Sequence, residues 1–193
     1  MNNHFLIIVD MQNDFITGSL GSEDAQSIVP NVVKKILTHY GPVIATMDTH
    51  DEYYNDTLEG KMLPIEHCIE NSDGWEMEKQ VAKAILTQGN YVGFVKKPTF
   101  GSTSLPEVIK QYVENVASVG RNIEELKVPN NKEPEFTIIG LDTDICVISN
   151  ALLLRAAFPN SKITIDSKCC AGTSKHAHKS ALEVAKSCQI TVV

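Results

Sequence analysis

Six short apolar runs recur along the chain, most of them rich in β-branched residues and separated by helical patterns. This alternation leaves few folds open. The runs are residues 5–10 (FLIIVD), 42–47 (PVIATM), 91–97 (YVGFVKK), 135–141 (EFTIIGL), 162–166 (KITID) and 189–193 (QITVV). Residues 5–9 are continuously apolar rather than alternating, the mark of a strand buried on both faces. Between the runs, apolar residues recur at helical spacing. A helix is expected with Pro30 in its first turn and Val32, Val33, Ile36 and Leu37 on its inner face. Others are expected over 75–88, closed by Gly89; from Leu105 to about 119; over 145–156; and from a cap at Thr173 or Ser174 to about Cys188. Strands alternating with helices predict an α/β protein of three α/β/α layers around a six-stranded, mainly parallel sheet. A length of 193 residues suits one domain spanning 1–193, with polar residues 120–134 as a surface insertion.

The net charge of −7 argues against nucleic acid or an anionic membrane as partner, because both call for a basic face. No apolar run is long enough to span a bilayer. The N-terminal residues carry no basic stretch ahead of their apolar run, and that run ends in Asp10, so the segment reads as a strand and the protein as cytoplasmic. Five cysteines without a C-x-x-C pair suggest neither a disulfide framework nor a zinc ribbon, and Cys169-Cys170 reads as a packed strand end.

In an open parallel sheet, ligands bind beyond the carboxyl ends of the strands where strand order reverses. Four successive strand ends carry reactive residues: Asp10, the pair Asp48 and His50, Lys96-Lys97, and the turn leading to Cys146. Asp144 is positioned to cap the following helix, which puts Cys146 in its first turn, where backbone N–H groups and the helix dipole favour a thiolate. Taken alone, a free cysteine is more often a buried structural thiol than a nucleophile. Its neighbours supply what a nucleophile needs. Asp10 is available as the base, and a lysine would stabilise developing negative charge. Backbone N–H groups of Cys146 and of the preceding turn are available as an oxyanion hole. These are the parts of an acyl transfer on an amide carbonyl through a thioester. Neighbours on a strand face opposite ways, so only one of Lys96 and Lys97 reaches Cys146. The irregular segment 49–73 is long enough to suggest function, and Asp48, His50 and His67 are ligand types suited to Zn²⁺ or Fe²⁺.

Four segments resemble those of the isochorismatase-like cysteine hydrolases, most closely the nicotinamidases among them: Val9-Asp10-Met11-Gln12-Asn13-Asp14-Phe15; Asp48-Thr49-His50 with His67-Cys68; Lys97-Pro98-Thr99-Phe100; and Gly140-Leu141-Asp142-Thr143-Asp144-Ile145-Cys146-Val147. The resemblance implies a catalytic triad of Asp10, Lys97 and Cys146, with Lys97 chosen over Lys96 by its distance from Phe100. It implies a cis peptide between Leu141 and Asp142, an oxyanion hole from the amides of Asp142 and Cys146, and Phe15 lining the substrate pocket. It further implies strand order 3-2-1-4-5-6, and a divalent metal on Asp48, His50 and His67 with Glu59 as a further ligand. Zn²⁺ is the expected ion, with Fe²⁺ or Mn²⁺ as alternatives. A homo-oligomer is expected, as is a small amide substrate, with nicotinamide hydrolysed to nicotinate and ammonia. Pro64 stands where many nicotinamidases have a tryptophan. Hydrolysis of another small amide or ureido compound, or a catalytically silent member of the fold, are the other readings.

Overall fold

The computed structural model describes residues 3–118 and 133–193. In chain order the elements are β1 (His4–Val9), α1 (Asn13–Ile16), α2 (Glu23–Thr38), β2 (Val43–Asp48), a 3₁₀ turn (Tyr54–Asp56), α3 (Leu58–Met62), α4 (Lys79–Gln88), β3 (Tyr91–Lys97) and α5 (Ser104–Ser118). They continue with β4 (Glu135–Gly140), a π-helical turn (Thr143–Val147), α6 (Ile148–Ala157), β5 (Ile163–Cys170), α7 (Lys175–Ser187) and β6 (Thr191–Val192). The six strands form one parallel sheet in the order β3-β2-β1-β4-β5-β6. Most of the expected surface insertion at 120–134 lies outside the described residues.

The sheet separates two cores. On β1, Phe5, Ile7 and Val9 face one side and Leu6 and Ile8 the other, all without exposed surface. The first set packs with Leu105 and Ile109 of α5, Ala151 and Leu154 of α6, and Leu182 and Ala185 of α7. The second packs with Ile28, Val32 and Ile36 of α2 and Val81 and Ile85 of α4. Burial on both faces is why the β1 run is apolar throughout instead of alternating.

Several local expectations are corrected. α2 begins at Glu23, capped by Ser22, whose hydroxyl accepts from the Ala25 N–H at 3.0 Å; Pro30 lies inside the helix on its exposed face. There the bond its missing N–H forfeits falls at the solvent side, where water can serve the Gln26 carbonyl. α4 begins at Lys79, because the Glu78 carboxylate accepts from the Gln80 and Val81 N–H groups and starts the helix there. Ser174 caps α7 by accepting from the Ala177 N–H. No described helix is long and apolar enough to cross a membrane.

Candidate active site

The site forms where β1, β2, β3 and β4 end. Asp10 follows β1 in a left-handed conformation (φ 48°), which a non-glycine residue adopts only when its surroundings hold it there. The Thr46 hydroxyl donates to Asp10 Oδ1 at 2.7 Å, and the Asp10 N–H donates to the Thr46 carbonyl. On the other side of β2, Asp48 pairs in register with Lys97 of β3. Strand alternation then separates the two lysines. Lys96 turns outward to Glu70, while Lys97 is buried and points inward. Its ammonium lies 2.7 Å from Asp10 Oδ2, 3.0 Å from Asp48 Oδ1 and 3.4 Å from Cys146 Sγ.

Burial opposes the charge on Lys97, but Asp10, Cys146 and Asp48 outweigh it and hold its pKa above the usual lysine value. Burial raises the Asp10 carboxyl, with Lys97 opposing. Burial also raises the Cys146 thiol, as do the charge of Asp10 and a hydrogen bond with it. Burial thus favours a neutral Cys146 thiol beside Asp10 and the charged Lys97. This direction runs against the thiolate expected at a helix start, because desolvation opposes a charge on a buried sulfur.

The turn that presents Cys146 also differs from expectation. Residues 143–147 form a π-helical turn, and α6 begins only at Ile148. Asp144 does not cap it: its carboxylate accepts from the Thr173 N–H at 2.9 Å and the Thr173 hydroxyl at 2.6 Å. The expected cis peptide between Leu141 and Asp142 is absent, since no cis bond occurs among the described residues. The change of direction instead uses Gly140 at φ 120°, where a Cβ would overlap the Val9 carbonyl. Burial and the nearby Asp144 and Asp10 charges push the Asp142 carboxyl up to about 7.

Asp48, His50, Glu59 and His67 bring one ligand atom each to within 4.8 Å of one another. Asp48 Oδ2 is 3.1 Å from His50 Nε2 and 3.3 Å from His67 Nε2, and Glu59 Oε1 is 3.9 Å from both rings. Two imidazoles and two carboxylates converging at these spacings fit a divalent ion. The Ile65 carbonyl occupies His67 Nδ1 at 2.9 Å, which leaves Nε2 for the ion. Beneath them the Tyr54 ring packs 4.7 Å from the His50 ring and 5.0 Å from the His67 ring, with its hydroxyl donating to the Leu63 carbonyl. A cavity of about 370 Å³ opens onto Cys146, Asp142, Asp48, Glu59 and His67, with Phe15, Leu63 and Phe100 among its apolar walls.

Asp10, Lys97, Cys146, Asp142, Phe15, Asp48, His50, Glu59 and His67 thus all gather at one place. Four residues to which the sequence assigned no role brace the site. Gln12 accepts from the Asp48 N–H and donates to the carbonyls of Asp48 and Trp75. Asp14 accepts from the Cys68 N–H, fixing the peptide after His67. Asn150 donates to the Cys146 carbonyl at 2.8 Å and accepts from the Ser102 N–H at 3.0 Å. His178 meets Thr143. Gln12 and Asp14 lie in the segment that follows Asp10, which was the one available hint; Asn150 and His178 are single positions in helices with no motif around them.

The isochorismatase-domain family model matches residues 4–193. No curated protein matches the chain. Among solved structures, a nicotinamidase from Bacillus subtilis is similar at 23% identity and a TM-score of 0.74, covering 99% of each chain. A pyrazinamidase of Pyrococcus horikoshii in complex with zinc is similar at 20% identity and a TM-score of 0.68, over 99% of this chain and 98% of that one. PnC1 from L. infantum in complex with nicotinate is similar at 16% identity and a TM-score of 0.72, over 98% and 91%. At such identities these likenesses establish the fold.

Proposed function

As the chain belongs to the isochorismatase family, we propose that it is a cysteine-dependent amidohydrolase whose substrate is a small aromatic carboxamide, nicotinamide above others. The observation that carries this reading is the single ammonium of Lys97 lying against Asp10, Cys146 and Asp48 at once. It joins a nucleophile and its base to the ligand cluster at the floor of one cavity.

Asp10 takes the Cys146 proton as sulfur attacks the carboxamide carbon and the C–S bond forms. Lys97 offsets the negative charge passing between sulfur and carboxylate, and in this reading the N–H groups of Asp142 and Cys146 receive the oxyanion. Asp10 returns the proton to the nitrogen, the C–N bond breaks and ammonia leaves. Water then attacks the thioester, again losing its proton to Asp10. The C–S bond breaks, giving the carboxylic acid and the thiol. Asp48, His50, Glu59 and His67 would hold a divalent ion, with Zn²⁺ the best fit and Fe²⁺ or Mn²⁺ also suited to this donor set. Bound there, the ion supplies an anchor for a lone-pair donor of the substrate, such as a ring nitrogen. Phe15, which packs 5.5 Å from the His67 ring, and Phe100 give an aromatic ring apolar walls.

The direct test is ammonia release from nicotinamide by zinc-loaded protein. Wild type should turn over and Cys146→Ala should lose at least about a thousandfold, the scale of removing a covalent nucleophile. Equal background rates from both proteins would reject the substrate assignment.

A further inference from the structure

The turn that carries Cys146 is held from behind by the junction of β5 and α7. Thr143, the first residue of that turn, has no exposed surface, and its Oγ1 lies 2.8 Å from Nδ1 of His178 on α7. Its N–H donates to the Ala171 carbonyl at 2.8 Å, and its carbonyl accepts from the Ile148 N–H where α6 begins. Gly172 permits the close approach, because a Cβ there would sit 3.1 Å from the His178 Cα and collide with the Asp144 carboxylate. The buried Thr143 hydroxyl needs an acceptor, since an unsatisfied one costs about 1–3 kcal/mol. A neutral His178 with Nδ1 bare provides it. His178 also lines a second cavity of about 230 Å³, with residues of α2 and α7 in its wall, and that cavity meets the active-site cavity at Gly172.

We propose that His178 is a positioning residue for Cys146: by accepting from Thr143 it fixes the π-helical turn, and protonation of its ring reverses that bond and loosens the turn. A doubly protonated ring donates from Nδ1, so the Thr143 hydrogen loses its acceptor within the core. Burial lowers the His178 pKa from its usual value, and Lys179 of α7 lowers it further. Asp144 of the turn and Asp24 of α2 oppose them. Lys175 and the Cys170 thiol also face the same cavity, and Lys175 lies 3.8 Å from Asp24. The ring is therefore neutral at pH 7 and charges only on the acid side. His178 takes no part of its own in the proposed chemistry and reaches the reacting sulfur through three intervening residues of the turn.

The inference rests on Cys146 being the nucleophile, so the experiment reads sulfur reactivity as well as turnover. Alkylation of Cys146 by iodoacetamide, assigned by peptide mass, and kcat and KM for ammonia release from nicotinamide are measured from pH 5 to 9. The proteins are zinc-loaded wild type, His178→Ala and His178→Asn, the last keeping a hydrogen-bonding atom near the place of Nδ1 without a titrating ring. His178→Ala should lower kcat and the alkylation rate about tenfold, the scale of one buried hydrogen bond, with KM within about twofold. His178→Asn should recover most of both. The wild-type to Asn ratio should be level from pH 7 to 9 and fall only on the acid side of the usual histidine value of 6.5, a change that cancels the titration of Asp10 and Cys146 common to both proteins. An Ala variant within twofold of wild type in both readouts, an Asn variant as impaired as Ala, or a level ratio across the whole range would each overturn the proposal. Wild type that releases no ammonia while the alkylation rates keep this order would reject the amidase reading and uphold the role of His178.

Discussion

Lys97 is the residue on which two charge systems close. Asp10 on one side and Asp48 on the other are both buried, and the ammonium between them is their common counter-ion. Removing one member of a buried ionic group costs about 3–5 kcal/mol, because the remaining charges stay desolvated. Lys97→Met keeps much of the volume and none of the charge, so it should destabilise by that order at pH 8. The loss should shrink toward pH 5. Without Lys97 the Asp10 carboxyl, already raised by burial, rises further above its unfolded value. Between the two values the folded state holds a proton that the unfolded state has released, so stability falls as pH rises. Urea unfolding of metal-free protein at the two pH values reads this difference. An equal loss at both would mean that Asp10 does not take up the proton. Strand alternation alone showed that Lys96 and Lys97 diverge; which one turns inward depended on register, which for a single chain without its partners is open.

At the scale of elements, the strands were legible and the starts of the helices less so. A run such as 5–9 declares itself because every residue is buried. A helix start is set by whichever polar side chain first reaches an unpaired N–H, and several compete. Ser22 started α2 eight residues before Pro30, and Glu78 started α4 three residues after Trp75. Asp144 looked like a cap by position, but Thr173, 29 residues away, claimed its carboxylate. The same reason hid Asn150. Nothing local marks a polar residue on a buried helix face whose partners are the Cys146 carbonyl and the Ser102 N–H, 48 residues earlier. Asn150 ties the turn of the sulfur to the loop that follows Lys97. Asn150→Leu should strand both partners in the core, at about 1–3 kcal/mol for each unpaired group. A fall in the thermal midpoint of roughly 4–24 °C is the expected scale for a chain of this length. Calorimetry checks it, and a midpoint within a degree of wild type would show that water or a shifted backbone replaces the clamp.

Across the whole molecule, the parallel order brings residues 10, 48, 97 and 146 to one edge because parallel strands all end on the same side of the sheet. That edge also collects charge that apolar cores on either side cannot solvate. The carboxylates of Asp48 and Glu59 face the same point, and burial followed by the Asp48 charge raises the Glu59 pKa. A divalent ion would relieve this repulsion in the folded chain and have little hold on the unfolded one, whose ligands are spread over residues 48–67. Ligand present at a thousand times its Kd stabilises by about 4 kcal/mol. For a protein of this size that is roughly 8–16 °C in Tm. Removing the metal with a chelator should therefore lower the wild-type Tm by that order, and restoring Zn²⁺ should return it. His67→Ala should start lower and respond little to either treatment. Glu59→Gln should keep a response, but a smaller one, because it retains an oxygen ligand and loses only the charge. The Cys146→Ala variant supplies the control, since its thiol lies outside the ligand group and its metal response should match wild type. A wild-type Tm unmoved by chelation and by added Zn²⁺ would remove the metal from the proposed mechanism and leave the apolar walls to hold the substrate by themselves.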